Sequence, residues 1–376
     1  MALASSDFSR TIAPHDQIVW YARQVLAEYV GTEVWAPAAQ LKAASLHTAH
    51  EYAGRFLIEL LQNAHDAHPR DRRDGRITIV VDADEGDFGT VYVANAGTPF
   101  AYESMTSLCK LARSPKVVGE GIGHKGVGFR SVLPVCKWPE IYSADPDGQP
   151  GNLDGYSFHF ARYADLLTLT GGDESLARKV DREFPPFQIP VPADSVPGAV
   201  RSLAEMGHVT VIRLPLDGPS GQASALSLLD ALAGSDVPVL LFLERIASLT
   251  LVRRKGGASR EEVLTRGEKP MPSVIIPPDD LHIALVDLGE HGEFVVASTQ
   301  IAPERLRLAV SSAIDAHLLS DDWTDWEDAV VSVAVPADFD TAGRIFTFLP
   351  MGEEAQSPFS GHLNAPFFTK LDVARR

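Results

Sequence analysis

Gly119-Glu120-Gly121-Ile122-Gly123-His124-Lys125-Gly126-Val127-Gly128-Phe129-Arg130-Ser131 places five glycines within ten residues and then enters an apolar run. Glycine visits positive φ at little steric cost, so a stretch this rich in it can turn successive backbone amides inward. A helix expected over Val127 to Val135 would add the positive end of its dipole at the same place. Inward amides beside a helix N-terminus suit a polyphosphate. The spacing is not G-x-x-x-x-G-K-[ST], and no strand-borne G-x-G-x-x-G with a later ribose-binding acid accompanies it. The stretch therefore reads as another kind of phosphate cradle.

Upstream, Phe56-Leu57-Ile58-Glu59-Leu60-Leu61-Gln62-Asn63-Ala64-His65-Asp66-Ala67 is an apolar helix, part of a longer one expected from about Ser45 to His68. Glu59, Asn63 and Asp66 fall at i, i+4 and i+7 on one face, whereas Leu57, Leu60, Leu61 and Ala64 fall mostly on the other. One face packs and one is left for chemistry. Between helix and cradle, Val91-Tyr92-Val93-Ala94-Asn95-Ala96-Gly97-Thr98-Pro99-Phe100 is an alternating strand ending in a polar turn.

These three blocks, in this order, resemble the GHKL superfamily of ATP-binding proteins, the group of gyrase, heat-shock chaperones, histidine kinases and MutL. Asn95-Ala96-Gly97-Thr98-Pro99-Phe100 and Gly123-His124-Lys125-Gly126-Val127-Gly128-Phe129-Arg130-Ser131 look like the sacsin-like and MORC-like members. The resemblance implies ATP and Mg²⁺ as ligands. Glu59 would be the water-activating carboxylate, and Asn63 would give its side-chain oxygen to the metal. Asp66 would either touch the nucleotide site or brace the neighbouring loop. Asn95 and Gly97 match the adenine-reading turn, with Asn95 standing where most members carry aspartate. An asparagine oxygen accepts from an adenine amino group, while its NH₂ would donate to an exocyclic oxygen, so both polarities are open; ATP is the expected ligand.

Gly121, Gly123, His124, Gly126, Val127, Gly128 and Phe129 match the lid and second glycine box, and Lys125 would set a point charge on the β- or γ-phosphate. Thr210, in the strand His208 to Leu216, matches a threonine whose hydroxyl faces the adenine, with Val209 where a glycine is usual. Lys370 stands where a basic residue of the second domain reaches the γ-phosphate in two-domain members.

The implied fold is a Bergerat-type α/β sandwich over residues 1–247, a mixed, mostly antiparallel sheet with helices on one face. A smaller transducer-like α/β domain over 248–376 would follow, opening on a strand at 248–253. Residues 14 to 29 read as an amphipathic helix covering one edge of the core. The proline-bearing insertion 162–206 carries no role legible from its residues.

The 376 residues are long enough for two cored domains, and 45% hydrophobic with 22% charged is ordinary for a globular protein. Lys plus Arg (33) minus Asp plus Glu (50) gives −17, so no global basic field draws the chain to nucleic acid or anionic lipid. Cys109 and Cys136 are too few for a disulfide framework or a four-ligand zinc site. With no signal peptide and no apolar run of membrane-spanning length, a cytoplasmic location and no membrane partner are expected.

The reading as a whole is an ATP hydrolase that dimerises with ATP and rotates its second domain. Its output would be a linked effector domain or partner protein, such as a nuclease in defence against foreign DNA, with nucleic acid reached through other domains. A chaperone of the sacsin or heat-shock type and a nucleotide-binding module without turnover are the alternatives. On this reading the chain is an N-terminal part of a longer protein.

Overall fold

The computed structural model describes residues 12–32, 39–40, 42–43, 53–110, 128–148, 151–234, 237–271, 280–316, 318–319, 323–324, 326, 329–338, 342–351 and 354–366. Its helices are α1 (Pro14–Thr32), α2 (Phe56–Asp66), α3 (Tyr102–Cys109), α4 (Tyr163–Leu169), α5 (Glu174–Glu183), α6 (Gly198–Glu205), α7 (Pro219–Ala233) and α8 (Pro303–Asp315). The first eight strands are β1 (Gly75–Asp82), β2 (Thr90–Asn95), β3 (Glu140–Ser143), β4 (Phe158–Phe160), β5 (Pro190–Pro192), β6 (Thr210–Pro215), β7 (Ile246–Lys255) and β8 (Ala258–Thr265). They form one sheet in the order β5-β4-β3-β6-β2-β1-β7-β8, antiparallel at every step except the parallel pair β1 with β7.

Alternation builds both faces of that sheet. Ile77, Ile79 and Val81 of β1, with Val91 and Val93 of β2, enter the main core, where Phe56, Leu57, Leu60, Leu61 and Ala64 of α2 and Leu226 and Leu229 of α7 meet them. Val80, Tyr92, Ala94 and Val211 point to the opposite face, which α6 covers with Val200, Leu203 and Ala204. The insertion thus has a structural part: α6 closes the far face, while α4 and α5 give Leu166, Ala177, Val180 and Phe184 to a small core with Ala22 and Leu26 of α1. A buried bond from the Tyr156 hydroxyl to Gln17 Oε1, 2.7 Å, ties α1 to the sheet side.

Three local expectations change. The segment 248–253 lies in β7, which pairs with β1 in the first sheet. That sheet therefore continues through β8, and the second begins at β9 (Gly267–Lys269). The expected helix after the glycine stretch is a 3-10 turn, Gly128–Val132. There the Ser131 hydroxyl donates to Gly128 O at 2.6 Å, taking the carbonyl that an α-turn would use. A five-residue turn supplies no extended helix dipole. The described part of the long helix is a 3-10 turn, Ala53–Arg55, running into α2.

The second sheet adds β10 (Leu281–Asp287), β11 (Glu293–Gln300), β12 (Val330–Pro336), β13 (Ile345–Thr347), β14 (Leu349–Pro350) and β15 (His362–Asn364), ordered β14-β13-β15-β12-β11-β10-β9. The apolar run Val239 to Leu243 is buried between the sheets, with the Phe242 ring 4.9 Å from that of Phe346. Both sheets thus feed one continuous core. Among the described residues no helix is long and apolar enough to cross a membrane.

Two buried histidines make the fold acid-sensitive. Burial holds His208 and His362 down at about 4. The unfolded chain protonates both below about pH 6.5 while the folded chain does not, so stability is full above that value and falls as pH drops towards 4. The expected loss is on the order of 2 kcal/mol per histidine. Urea unfolding at pH 7 and pH 4.5 measures it, and replacing both histidines by glutamine should reduce the difference; an equal acid loss in the variant would refute the assignment.

Candidate functional site

Helix α2 presents its apolar residues to the sheet, and this fixes where its polar residues stand. Glu59 is half-buried and faces the 3-10 turn, so that a β-carbon on Gly128 would lie 2.5 Å from Glu59 Oε2. Two residues almost seventy positions apart, each a site candidate for its own reasons, are therefore in contact. Below the turn, Phe129 packs its ring on Phe160 and Phe187, centroids 6.5 and 5.6 Å away. Arg130 donates to Pro186 O at 2.9 Å. The Phe129 side chain is core, so any ligand contact there falls to its backbone.

Only glycine brings the turn this close to the carboxylate. A β-carbon at position 128 would press on the end of a flexible side chain, which can swing aside. For Gly128→Ala we expect little change in stability, below about 1 kcal/mol, because only the end of the Glu59 side chain has to move. Urea unfolding checks this; a loss of several kcal/mol would show that the turn is held against backbone and not against a flexible carboxylate.

Asn63 follows Glu59 by one helical turn, about 6 Å along the axis. It is half-buried, and among the described residues its side chain has no hydrogen-bond partner. Asp66 follows at the end of the helix, with its carboxylate 2% exposed and 3.2 Å from His65 Nδ1. Burial lowers the His65 pKa, and the Asp66 bond opposes that shift. Arg245 closes the end of α2, donating to His68 O at 2.9 Å and to Asp66 O at 3.4 Å, where a cation complements the dipole.

Beyond that end lies a polar row on the helix-facing side of the sheet. Register pairs Asn95 with Thr210 and Thr210 with Ser143. All three continue the face of Val93, Ile212 and Ile141, which enter the main core. Thr210 and Ser143 share a hydroxyl bond of 3.1 Å, and Ser143 Oγ also accepts from Phe100 N at 2.8 Å. Asn95 Oδ1 accepts from Gly97 N at 3.1 Å. Gly97 lies directly on the end of α2, where an added β-carbon would stand 2.5 Å from Ala67 O and 2.9 Å from His68 N. Thr98 N donates to the same Ala67 carbonyl at 2.7 Å, locking turn to helix.

The fold therefore gathers Glu59, Asn63, Gly128, Asn95, Gly97 and Thr210 around α2. Gly121, Gly123, His124, Lys125, Gly126, Val127 and Lys370, together with the expected lid over Ser114 to His124, lie outside the described residues. Ser143 and the carbonyl of Ala67 were missed from sequence. For Ser143 a signal existed: it alternates with Ile141 along β3, which puts it on the buried face. Cys109 and Cys136 are buried free thiols, raised in pKa by burial, and stand as packing residues.

No family model matches the chain. It is similar to Protein NO VEIN of Arabidopsis thaliana, 26% identical over 228 residues, which cover 57% of this chain and 8% of that protein.

Proposed function

We propose that this chain binds a nucleoside triphosphate with magnesium across α2 and hydrolyses it slowly, the hydrolysis acting as a switch. The observation that carries the reading is the contact between Gly128 and the Glu59 carboxylate. A glycine turn set on a helix-borne acid is what hydrolysis of a phosphoanhydride requires: close backbone approach to the terminal phosphate, with a base beside it. The row Asn95–Thr210–Ser143 supports the reading from the other end of α2, as a polar floor for a base at the edge of an apolar core.

In this reading Glu59 takes the proton of the attacking water. Asn63 offers a neutral amide oxygen, a hard ligand suited to an ion that keeps most of its coordination for water and phosphate. Magnesium, when bound, neutralises charge on the phosphates. Lys125 and Lys370 are proposed phosphate contacts from the lid and the second domain. The GHKL resemblance supplies ATP as ligand, nucleotide-dependent dimerisation, and an output through a linked effector or partner.

The test is steady-state phosphate release from magnesium triphosphates by the whole chain, repeated with chelator and with Asn63→Ala. Metal-dependent release that falls at least tenfold in the variant upholds the proposal. Release that neither chelator nor variant alters would refute it.

A further inference from the structure

Asn95 is 5% exposed, and its side-chain amide has one polar partner among the described residues, the Gly97 N–H at 3.1 Å. A backbone N–H can only donate, so the atom it meets is the oxygen, and the amide orientation follows from chemistry. The turn cannot shift to relieve this. Gly97 is wedged against Ala67 and His68, and Thr98 is bonded to Ala67 O at 2.7 Å. Rotating the amide would set NH₂ against N–H. With Oδ1 held by the turn, the amide atom that has no partner among the described residues is Nδ2, a donor.

The neighbouring hydroxyls are not so restricted. Ser143 Oγ accepts from Phe100 N, and its bond with Thr210 Oγ1 runs in either direction, so Thr210 can donate or accept. The polarity of the floor is therefore set by Asn95 alone. An adenine amino group aimed at Nδ2 would bring two donors together and leave both unbonded in a buried place, a mismatch that recognition sites penalise heavily. A carbonyl at the same position would be bonded.

We propose that the base read at Asn95 is a 6-oxo purine, guanine or hypoxanthine, in preference to adenine; this rests on the nucleotide-site reading above. The 6-oxygen accepts from Asn95 Nδ2, and the adjacent ring N–H finds an acceptor in the Thr210 hydroxyl.

The experiment is calorimetric titration of the full chain with the magnesium complexes of ATP, GTP, inosine triphosphate, purine riboside triphosphate and inorganic triphosphate. Inosine triphosphate and GTP are expected to bind about tenfold or more tightly than ATP, with purine riboside triphosphate, which has no 6-substituent, also weaker than inosine triphosphate. Asn95→Asp restores an acceptor and should shift the preference towards ATP by a similar factor. The wild-type series stands without the variant, should the variant fold poorly. ATP binding as tightly as inosine triphosphate overturns the proposal and leaves the nucleotide site intact; equal binding of all five, inorganic triphosphate included, overturns the proposal and the base floor with it. Absence of binding by every triphosphate overturns the proposal and the nucleotide site.

Discussion

Glu59→Ala is expected to bind the magnesium triphosphate within a few-fold of the wild-type affinity and to turn it over about 10²- to 10⁴-fold more slowly. The carboxylate touches the glycine turn, at the place where a terminal phosphate and its attacking water would meet. It does not belong to the packing face of α2, which Leu57, Leu60, Leu61 and Ala64 provide. Its removal should therefore leave the fold and the base floor unchanged. Single-turnover phosphate release beside equilibrium binding separates the two effects. Turnover within threefold of wild type would mean that another group activates the water.

Gly97→Ala should have the largest effect on stability, about 3 kcal/mol of destabilisation. The added methyl would meet Ala67 O at 2.5 Å, Ala67 C at 2.6 Å and His68 N at 2.9 Å, all backbone atoms held by the last turn of α2. Relief requires the β2 turn to leave the helix, which breaks the bond from Thr98 N to Ala67 O and moves Asn95 with it. Nucleotide affinity should fall together with the urea midpoint. Gly267→Ala is the control, since nothing stands within 4 Å of its added methyl. Equal midpoints for the two variants would show that the turn is not wedged.

The parts of the fold legible in sequence are those that a local period encodes. Helical spacing placed Glu59 and Asn63 on one face of α2, alternation placed the strand that ends at Asn95, and the family resemblance picked out Asn95 and Thr210. The α/β sandwich with a mostly antiparallel sheet was implied by the family resemblance that these blocks carry. Long-range pairing had no such signal. Strand β7 carries the same alternation whichever sheet it joins, and its parallel register with β1 closes a loop of some 170 residues. Nor could the approach of Gly128 to Glu59 be seen, because it depends on Phe129 entering a pocket made by Phe160 and Phe187 far along the chain. The 3-10 turn was missed because a hydroxyl captured one carbonyl, a competition that propensity does not register.

The central claim is that one nucleotide lies along α2, phosphates at Gly128 and base at Asn95. Hydrogen exchange followed by mass spectrometry, with and without magnesium GTP or ATP, tests it most directly. The account predicts slowed exchange in peptides covering 56–68, 95–100, 128–133 and 208–212, together and with one affinity. Slowed exchange confined to the second sheet, or none with either triphosphate, would contradict it.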